Sequence, residues 1–348
     1  MFVLQNLFKL TINQLIMKSG LSLFILLLFS TFIFTQCTSP SSNDTNKGQI
    51  EQPVDSAESE SSIHTSFPLP TVPVVITDPD EAMLYLSKHF WDQFPFADTT
   101  LIDLPDITEQ GFVDYIQILN EIPHIDAEKS LVFMLDKAKE TPAMYVHFAS
   151  LYTKYLYEPN SPFRNEELYI PVVNNLLKSG LLSETDQSVY GFHQEMIMKN
   201  RVRTTATDFV YTLANGDKKK MHALQSSYLI LFFTNPDCPA CAALTQELSN
   251  SKALWSMFSM NNPPINSMLT VLSIYPDSNI DQWRKALPNL PQKHWVNAYD
   301  DGTVITNKRL YDIKAIPTLY LLNKNKEIIL KDTSLEEIEK YFRKLGAK

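Results

Sequence analysis

Two thiols carry the first hint of chemistry in this 348-residue sequence. Cys238 and Cys241 stand in "FFTNPDCPACAALTQE" (232–247), after an apolar run and a proline and ahead of a helix-like stretch. A pair at this spacing can carry electrons, hold part of a zinc site, or staple a turn. A four-ligand zinc site needs partners that the chain does not offer. There is no second CxxC, and His64, His89, His124, His147, His193, His222 and His294 are scattered, with no two at ligand spacing. We therefore expect no metal and no cofactor. The third cysteine, Cys37, follows an N-terminal apolar run, so the body of the protein holds a single thiol pair.

The elements around the pair follow from hydrophobic period. "YLILFFTN" (228–235) is a continuous apolar run, as in a strand buried on both faces, and the helix bearing the cysteines follows it directly. "DFVYTLANGDKKKMHAL" (208–224) suits a hairpin turning at Asn215-Gly216. "LTVLSIY" (269–275) is a second buried strand, "NIDQWRKAL" a helix, and "HWVNAYDD" an edge or third strand. "PTLYLLNKNKEIILKD" (317–332) reads as a hairpin, and "SLEEIEKYFRKLG" as a closing helix with a capping box at Ser334 and Glu337. This order predicts an α/β domain with a central mixed sheet and helices on both faces.

Three motifs in this order resemble the thioredoxin fold, and most closely the TlpA-like periplasmic thiol-disulfide oxidoreductases: "ATDF" (206–209), "CPAC" (238–241) and "YDIKAIPTLYLLN" (311–323). The resemblance covers residues 204–348, within a thioredoxin-like domain expected over 203–348. It implies that Cys238 is the exposed nucleophile and Cys241 the resolving thiol, and that the two form a redox disulfide. A helix N-terminus at Cys238 would favour the anion there. It further implies that Pro317 is a cis-proline opposite the pair, leaving the Ile316 backbone free to pair with an extended client segment.

The sequence also departs from the family. Asp237 stands where tryptophan is common, and its charge opposes a thiolate at Cys238. Phe232 occupies the position, six before Cys238, where thioredoxins bury an aspartate as proton acceptor; Glu247 is the substitute to test. Pro239-Ala240 is neither the Gly-Pro of thioredoxins nor the Pro-His of strong oxidants, so redox direction is not legible there. "ATDF" also opens peroxiredoxin domains, but those need Thr or Ser three before the reactive cysteine, and position 235 is Asn.

The N-terminus reads as an address. From Met17, an alternative start, Lys18 supplies positive charge and Leu21–Phe34 an apolar core of 14 residues, shorter than the ~18–20 that span a bilayer. Residues 1–36 are thus expected to be an export signal. Cys37 followed by "TSPSSNDTNKG" resembles a bacterial lipoprotein signal, which implies acylation of Cys37, although Gln36 departs from the usual small residue. Residues 37–79 would form the acylated cysteine and a disordered tether: 38–66 hold eight serines, five acids and no aromatic residue. As a flexible coil that stretch reaches ~30 Å. The expected location is the bacterial cell envelope, lipid-anchored and facing the periplasm, on the outer rather than the inner membrane.

Residues 80–202 keep a helical period, with stripes through Phe112, Tyr115, Ile116 and Leu119, through Tyr169, Val172, Val173 and Leu176, and through Met144, Phe148, Leu151, Tyr152 and Tyr155. About six helices in an all-α domain are expected. "HFWDQFPFAD" (89–98) and "YTKYLYEP" (152–159) read as core, with a client-docking face as the alternative. The segment resembles the helical region of unknown function that precedes a thioredoxin-like domain in some envelope lipoproteins, on "FWDQFPFADTTLIDLPDITEQGFVDYI".

A net charge of −9 without a basic stripe argues against nucleic acid. The expected function is that of a membrane-tethered thiol-disulfide oxidoreductase, a reductase, with disulfide-bearing client proteins and an electron-donating membrane redox partner. The alternative is a non-catalytic client-binding lipoprotein whose thioredoxin-like domain is a scaffold with a fixed disulfide.

Overall fold

The computed structural model describes residues 66–259 and 268–346. The expected export signal, Cys37 and residues 38–65 of the tether lie outside these residues.

Asp78 accepts from the backbone N–H groups of Asp80 and Glu81 at 2.9 and 3.0 Å and so caps α1 (Pro79–His89), with Pro79 in the first turn. There follow α2 (Thr108–Glu121), α3 (His124–Ala138), α4 (Pro142–Tyr152), α5 (Glu166–Lys178) and α6 (Glu184–Met198). Asn165 and Ser183 cap α5 and α6 through their side chains. The stripes seen in the sequence turn inward: Phe112, Tyr115, Ile116, Phe148, Tyr152, Tyr169 and Leu176 share one apolar core. Phe90, Trp91, Phe94 and Phe96 are buried in the same core, with the Trp91 ring edge-on to Phe148 at 5.1 Å and to Tyr115 at 5.4 Å. These four aromatics are therefore core rather than a docking face. Phe67 packs on Phe90 and Trp91 and covers Gly111, so the lead-in assigned to the tether joins the helical core from Phe67 onward. A five-residue π-helical turn, Thr153–Tyr157, continues α4.

Beyond α6 the chain builds one seven-stranded sheet. β1 (Val210–Leu213) and β2 (Lys218–Lys220) form the expected hairpin, whose turn needs φ +89° at Gly216. β3 (Tyr228–Phe233), α7 (Pro239–Asn250), α8 (Lys252–Ser259), β4 (Leu269–Tyr275), α9 (Ile280–Ala286), β5 (Trp295–Tyr299), α10 (Val304–Asn307), β6 (Thr318–Asn323), β7 (Ile328–Leu330) and α11 (Leu335–Gly346) follow. The strand order is β2-β1-β5-β4-β3-β6-β7, with β3, β4 and β5 parallel and the remaining pairs antiparallel.

Alternation along the strands separates two cores. Leu229, Leu231 and Phe233 of β3 pack with Tyr320 and Leu322 of β6 and with Ile305 and Tyr311. On the other face, Ile230 and Phe232 pack with Leu319 and Leu321 and with residues of α7, α8 and α11. This is the α/β thioredoxin fold, C-terminal to an all-α domain, that the sequence led us to expect. Two details differ. β5, left open as an edge or third strand, is the third parallel strand and lies inside the sheet between β4 and β1. The short helix α8 was not foreseen.

The segment between the two halves is firmly held. Asn200 is buried; its amide donates to the Leu310 carbonyl at 2.8 Å and accepts from the Thr207 N–H at 2.8 Å. Arg203, Thr204 and Ala206 exchange backbone hydrogen bonds with Ile328 and Lys326 at 2.8–2.9 Å, and Thr205 forms a bridge with Glu327.

Candidate dithiol site

Both thiols are placed by the junction of β3 and α7. β3 ends at Phe233, and the loop 234–238 is shaped by Asn235. Its side-chain oxygen accepts from the Asp237 N–H at 2.9 Å, and its carbonyl accepts from the Cys238 N–H at 3.1 Å. Its amide donates to Asp277 Oδ2 at 2.7 Å, which ties the loop to the segment after β4. This Asn-Pro-Asp turn delivers Cys238 to the N-cap of α7, where Pro239 fits the first turn.

Cys238 is partly exposed and Cys241 buried, and both are free thiols. The Cys241 backbone N–H donates to Cys238 Sγ at 3.2 Å, so one of the helix's unpaired amides points at the sulfur. On its other side, Cys238 Sγ donates to the Ile316 carbonyl at 3.7 Å. The Ile316–Pro317 peptide bond is cis. Structure thus brings Cys238, Cys241, Ile316 and Pro317 together. Cys37 lies outside the described residues.

Cys241 sits on the first turn of α7 in a different environment. Burial, and then the neighbouring Cys238 thiol, push its pKa up to about 11, opposed by the Asn235 backbone and the Thr234 hydroxyl. Phe232, in place of a buried acid, packs edge-on to Trp295 at 6.1 Å and belongs to the apolar core. Glu247 does not replace that acid. It lies six residues beyond Cys241, about 240° around the helix, and is exposed. Asp237 is likewise exposed.

A family described as thioredoxin-like matches residues 226–328. A domain of unknown function, DUF5106, matches residues 42–200. The crystal structure of a thioredoxin-like protein from Bacteroides caccae is 41% identical, with a TM-score of 0.76, covering 81% of this chain and 99% of that one. The chain belongs to the thioredoxin-like family. Its thioredoxin-like half also resembles the C-terminal domain of an uncharacterized protein from Bacteroides fragilis, at 42% identity over 41% of this chain and 98% of that one, TM-score 0.39. The thioredoxin domain of a thiol-disulfide oxidoreductase from Bacteroides vulgatus matches at 15% identity over 42% of this chain and 97% of that one, TM-score 0.35. No curated protein matches.

Sequence reasoning missed three contributors to this thioredoxin-like site. Asn235 was noticed only for excluding a peroxidase, although Asn-Pro-Asp ahead of a helix is itself a turn signal. Asp277 holds Asn235 across 42 residues. Lys314, in the loop leading to Ile316, passes without notice in the sequence and is buried in the structure, side chain 8% exposed.

Proposed function

We propose that this protein is a membrane-tethered, extracytoplasmic thiol-disulfide oxidoreductase that acts as a reductase on client proteins through Cys238 and Cys241. The observation that carries this reading is the placement of Cys238 Sγ, at a helix N-terminus between the Cys241 N–H and the Ile316 carbonyl. A sulfur held there is accessible, has an amide to stabilise negative charge, and has its partner thiol one helical turn away.

In the forward reaction the Cys238 thiolate attacks one sulfur of a client disulfide. A mixed disulfide forms, the client S–S bond breaks, and the departing client thiolate takes a proton. Deprotonated Cys241 then attacks Cys238 Sγ, which releases the second client thiol and leaves a Cys238–Cys241 disulfide. Two electrons pass to the client. A membrane redox partner that presents a dithiol must return them. Ile316 and Pro317 form the surface on which an extended client segment would lie. Acylation of Cys37 would hold the domain at the periplasmic face of the outer membrane, within reach of clients over the length of the tether.

The test is the equilibrium of the Cys238–Cys241 pair against a glutathione or dithiothreitol couple. A potential near or below about −200 mV supports the reductase; one near about −120 mV makes the protein an oxidant; a pair that does not cycle overturns the redox reading. For the tether, Cys37→Ser should move the protein from the membrane to the soluble fraction.

A further inference from the structure

A buried charge cluster joins the helical half to the loop that faces the thiols. Glu166 and Arg164, flanking the cap of α5, come from the helical half; Asp312, Lys314, Lys331 and Asp332 come from the sheet domain. Three cations meet three carboxylates, so the cluster is neutral overall. Its centre is Lys314, which pairs with Glu166 and, at 3.1 Å, with Asp312. The Lys314 ammonium also stands 3.8 Å from the centre of the Tyr157 ring, carried by the π-helical turn. The second oxygen of Glu166 holds Lys331 at 2.8 Å.

The position of Lys314 in the chain gives this cluster a chemical consequence. Only Ala315 separates it from Ile316, whose carbonyl receives the Cys238 thiol. Within the sheet domain the loop is anchored at its start, by the Tyr311 hydroxyl on the Thr207 carbonyl at 2.6 Å and the Tyr320 hydroxyl on the Asp312 carbonyl at 3.3 Å. Thr318 holds the Ala315 carbonyl from the far side. Among the described residues, Lys314 is the side chain that the helical half holds within the loop itself, while Lys199 and Asn200 hold its lead-in at the Arg309 and Leu310 carbonyls, each at 2.8 Å. A cluster serving only as glue could lie anywhere along the boundary.

We propose that Lys314 and Glu166 are positioning residues: through them the helical domain sets where the Ile316 carbonyl stands against Cys238, and so sets the reactivity of that thiol. This rests on the dithiol reading above. A carbonyl that accepts from the S–H stabilises the neutral sulfur, so its displacement speeds attack on small electrophiles. The same displacement spoils the seat of a large disulfide substrate, which needs loop and sulfur in register.

The experiment uses the full chain and two readouts, iodoacetamide alkylation of Cys238 at pH 7, followed by peptide mass, and reduction of insulin disulfides. Lys314→Met and Glu166→Gln should each speed alkylation about threefold or more and slow insulin reduction about tenfold. Lys314→Arg should restore both rates. Arg164→Gln cuts another pair of the same cluster away from the loop and should move neither. If Lys314→Met does not fold, Tyr157→Leu, which keeps every charge, takes its place. Unchanged alkylation in the folded loop variants, or an equal change in Arg164→Gln, overturns the proposal and leaves a structural cluster. A wild-type protein that reduces no insulin, while the alkylation rates still separate as expected, removes the redox reading and leaves the positioning intact.

Discussion

Phe67 fills the space that a side chain on Gly111 would need. A Cβ at position 111 would lie 2.6 Å from Cε2 and 2.7 Å from Cγ of the Phe67 ring, closer than real contacts allow. The same ring packs 4.9 Å from Phe90 and 5.2 Å from Trp91, so it cannot yield without disturbing the aromatic core. Gly111→Ala gains about 1 kcal/mol of helix propensity and meets an overpacking cost of about 1–3 kcal/mol. We expect a net loss of stability in the native chain. In a Phe67→Ala background the same change should be neutral or stabilising. Urea unfolding of the four proteins gives the coupling, and additive effects would break the link between the two residues.

Lys331 ties the N-terminal end of α5 to the C-terminal end of α6. Its ammonium pairs with Glu166 and donates to the Lys199 carbonyl at 2.9 Å and to those of Met196 and Ile197 at 3.3 Å, at the C-terminal end of α6. Its side chain is 6% exposed. Lys331→Met should cost about 3 kcal/mol, because it strands buried carbonyls and part of a buried carboxylate. The urea midpoint should fall with little change in slope. A loss of only a few tenths of a kcal/mol would class this pair with solvent-screened surface bridges.

Burial holds the carboxyls of Asp114, Asp300, Asp312 and Asp332 high, and their protonation relieves a penalty as pH falls. Against them, stability should lose a share in mild acid through His193. Burial, and then the charge of Lys314, press its pKa down to about 4. Its ring packs tilted against Tyr157 at 4.1 Å, and its Nδ1 lies 3.0 Å from the Tyr169 hydroxyl. Between pH about 6.5 and 4 the unfolded chain binds the proton and the folded chain does not. The contribution is therefore complete above about pH 6.5 and lost as pH falls toward 4. Allowing for solvent screening at this half-buried site, about 1 kcal/mol is expected. Chemical denaturation at pH 7 and pH 5 should show a smaller difference in His193→Gln. His147, lowered mainly by burial, keeps part of the slope. Glu166, which Lys331 and Lys314 hold low against its burial, acts only below the ordinary carboxylate range.

The two thiols should react in strict order. With its pKa pushed up to about 11 and its side chain buried, Cys241 exposes little thiolate at pH 8. Against an ordinary thiol this lowers its alkylation about a hundredfold. Mass mapping after brief iodoacetamide treatment at pH 8 should find label on Cys238 and almost none on Cys241. Comparable labelling would mean that Cys241 is neither buried nor raised as described.

Much of the site is local in the sequence, and that part was legible. The both-face apolar run of β3, the proline after Cys238 and the "AIPT" segment each act within a few residues. The errors lie where local appearance and tertiary setting diverge. "HWVNAYDD" stays open in the sequence as an edge or third strand; it is the third parallel strand, and Asn297 within it is buried, its amide donating to the Pro291 carbonyl at 2.7 Å. α8 carried a usable signal: Ser251 accepts from the Leu254 N–H at 3.3 Å as a cap. Lys314 and Glu166 lie 148 residues apart, and no periodicity links them. Glu247 stands nearly two helical turns beyond Cys241, but its six-residue offset turns it away from that thiol.

The backbone bonds between Arg203–Ala206 and Lys326–Ile328 make the interdomain segment an extra partner for β7. A strand with one side unpaired is a template on which further chains can polymerise. The thioredoxin-like match begins only at residue 226. A fragment cut to that boundary would keep both thiols and their loop and yet expose a sticky flank. A protease nick near residue 205 would therefore threaten solubility before it touched any sulfur. The short run between the two halves acts as a guard rail for the sheet.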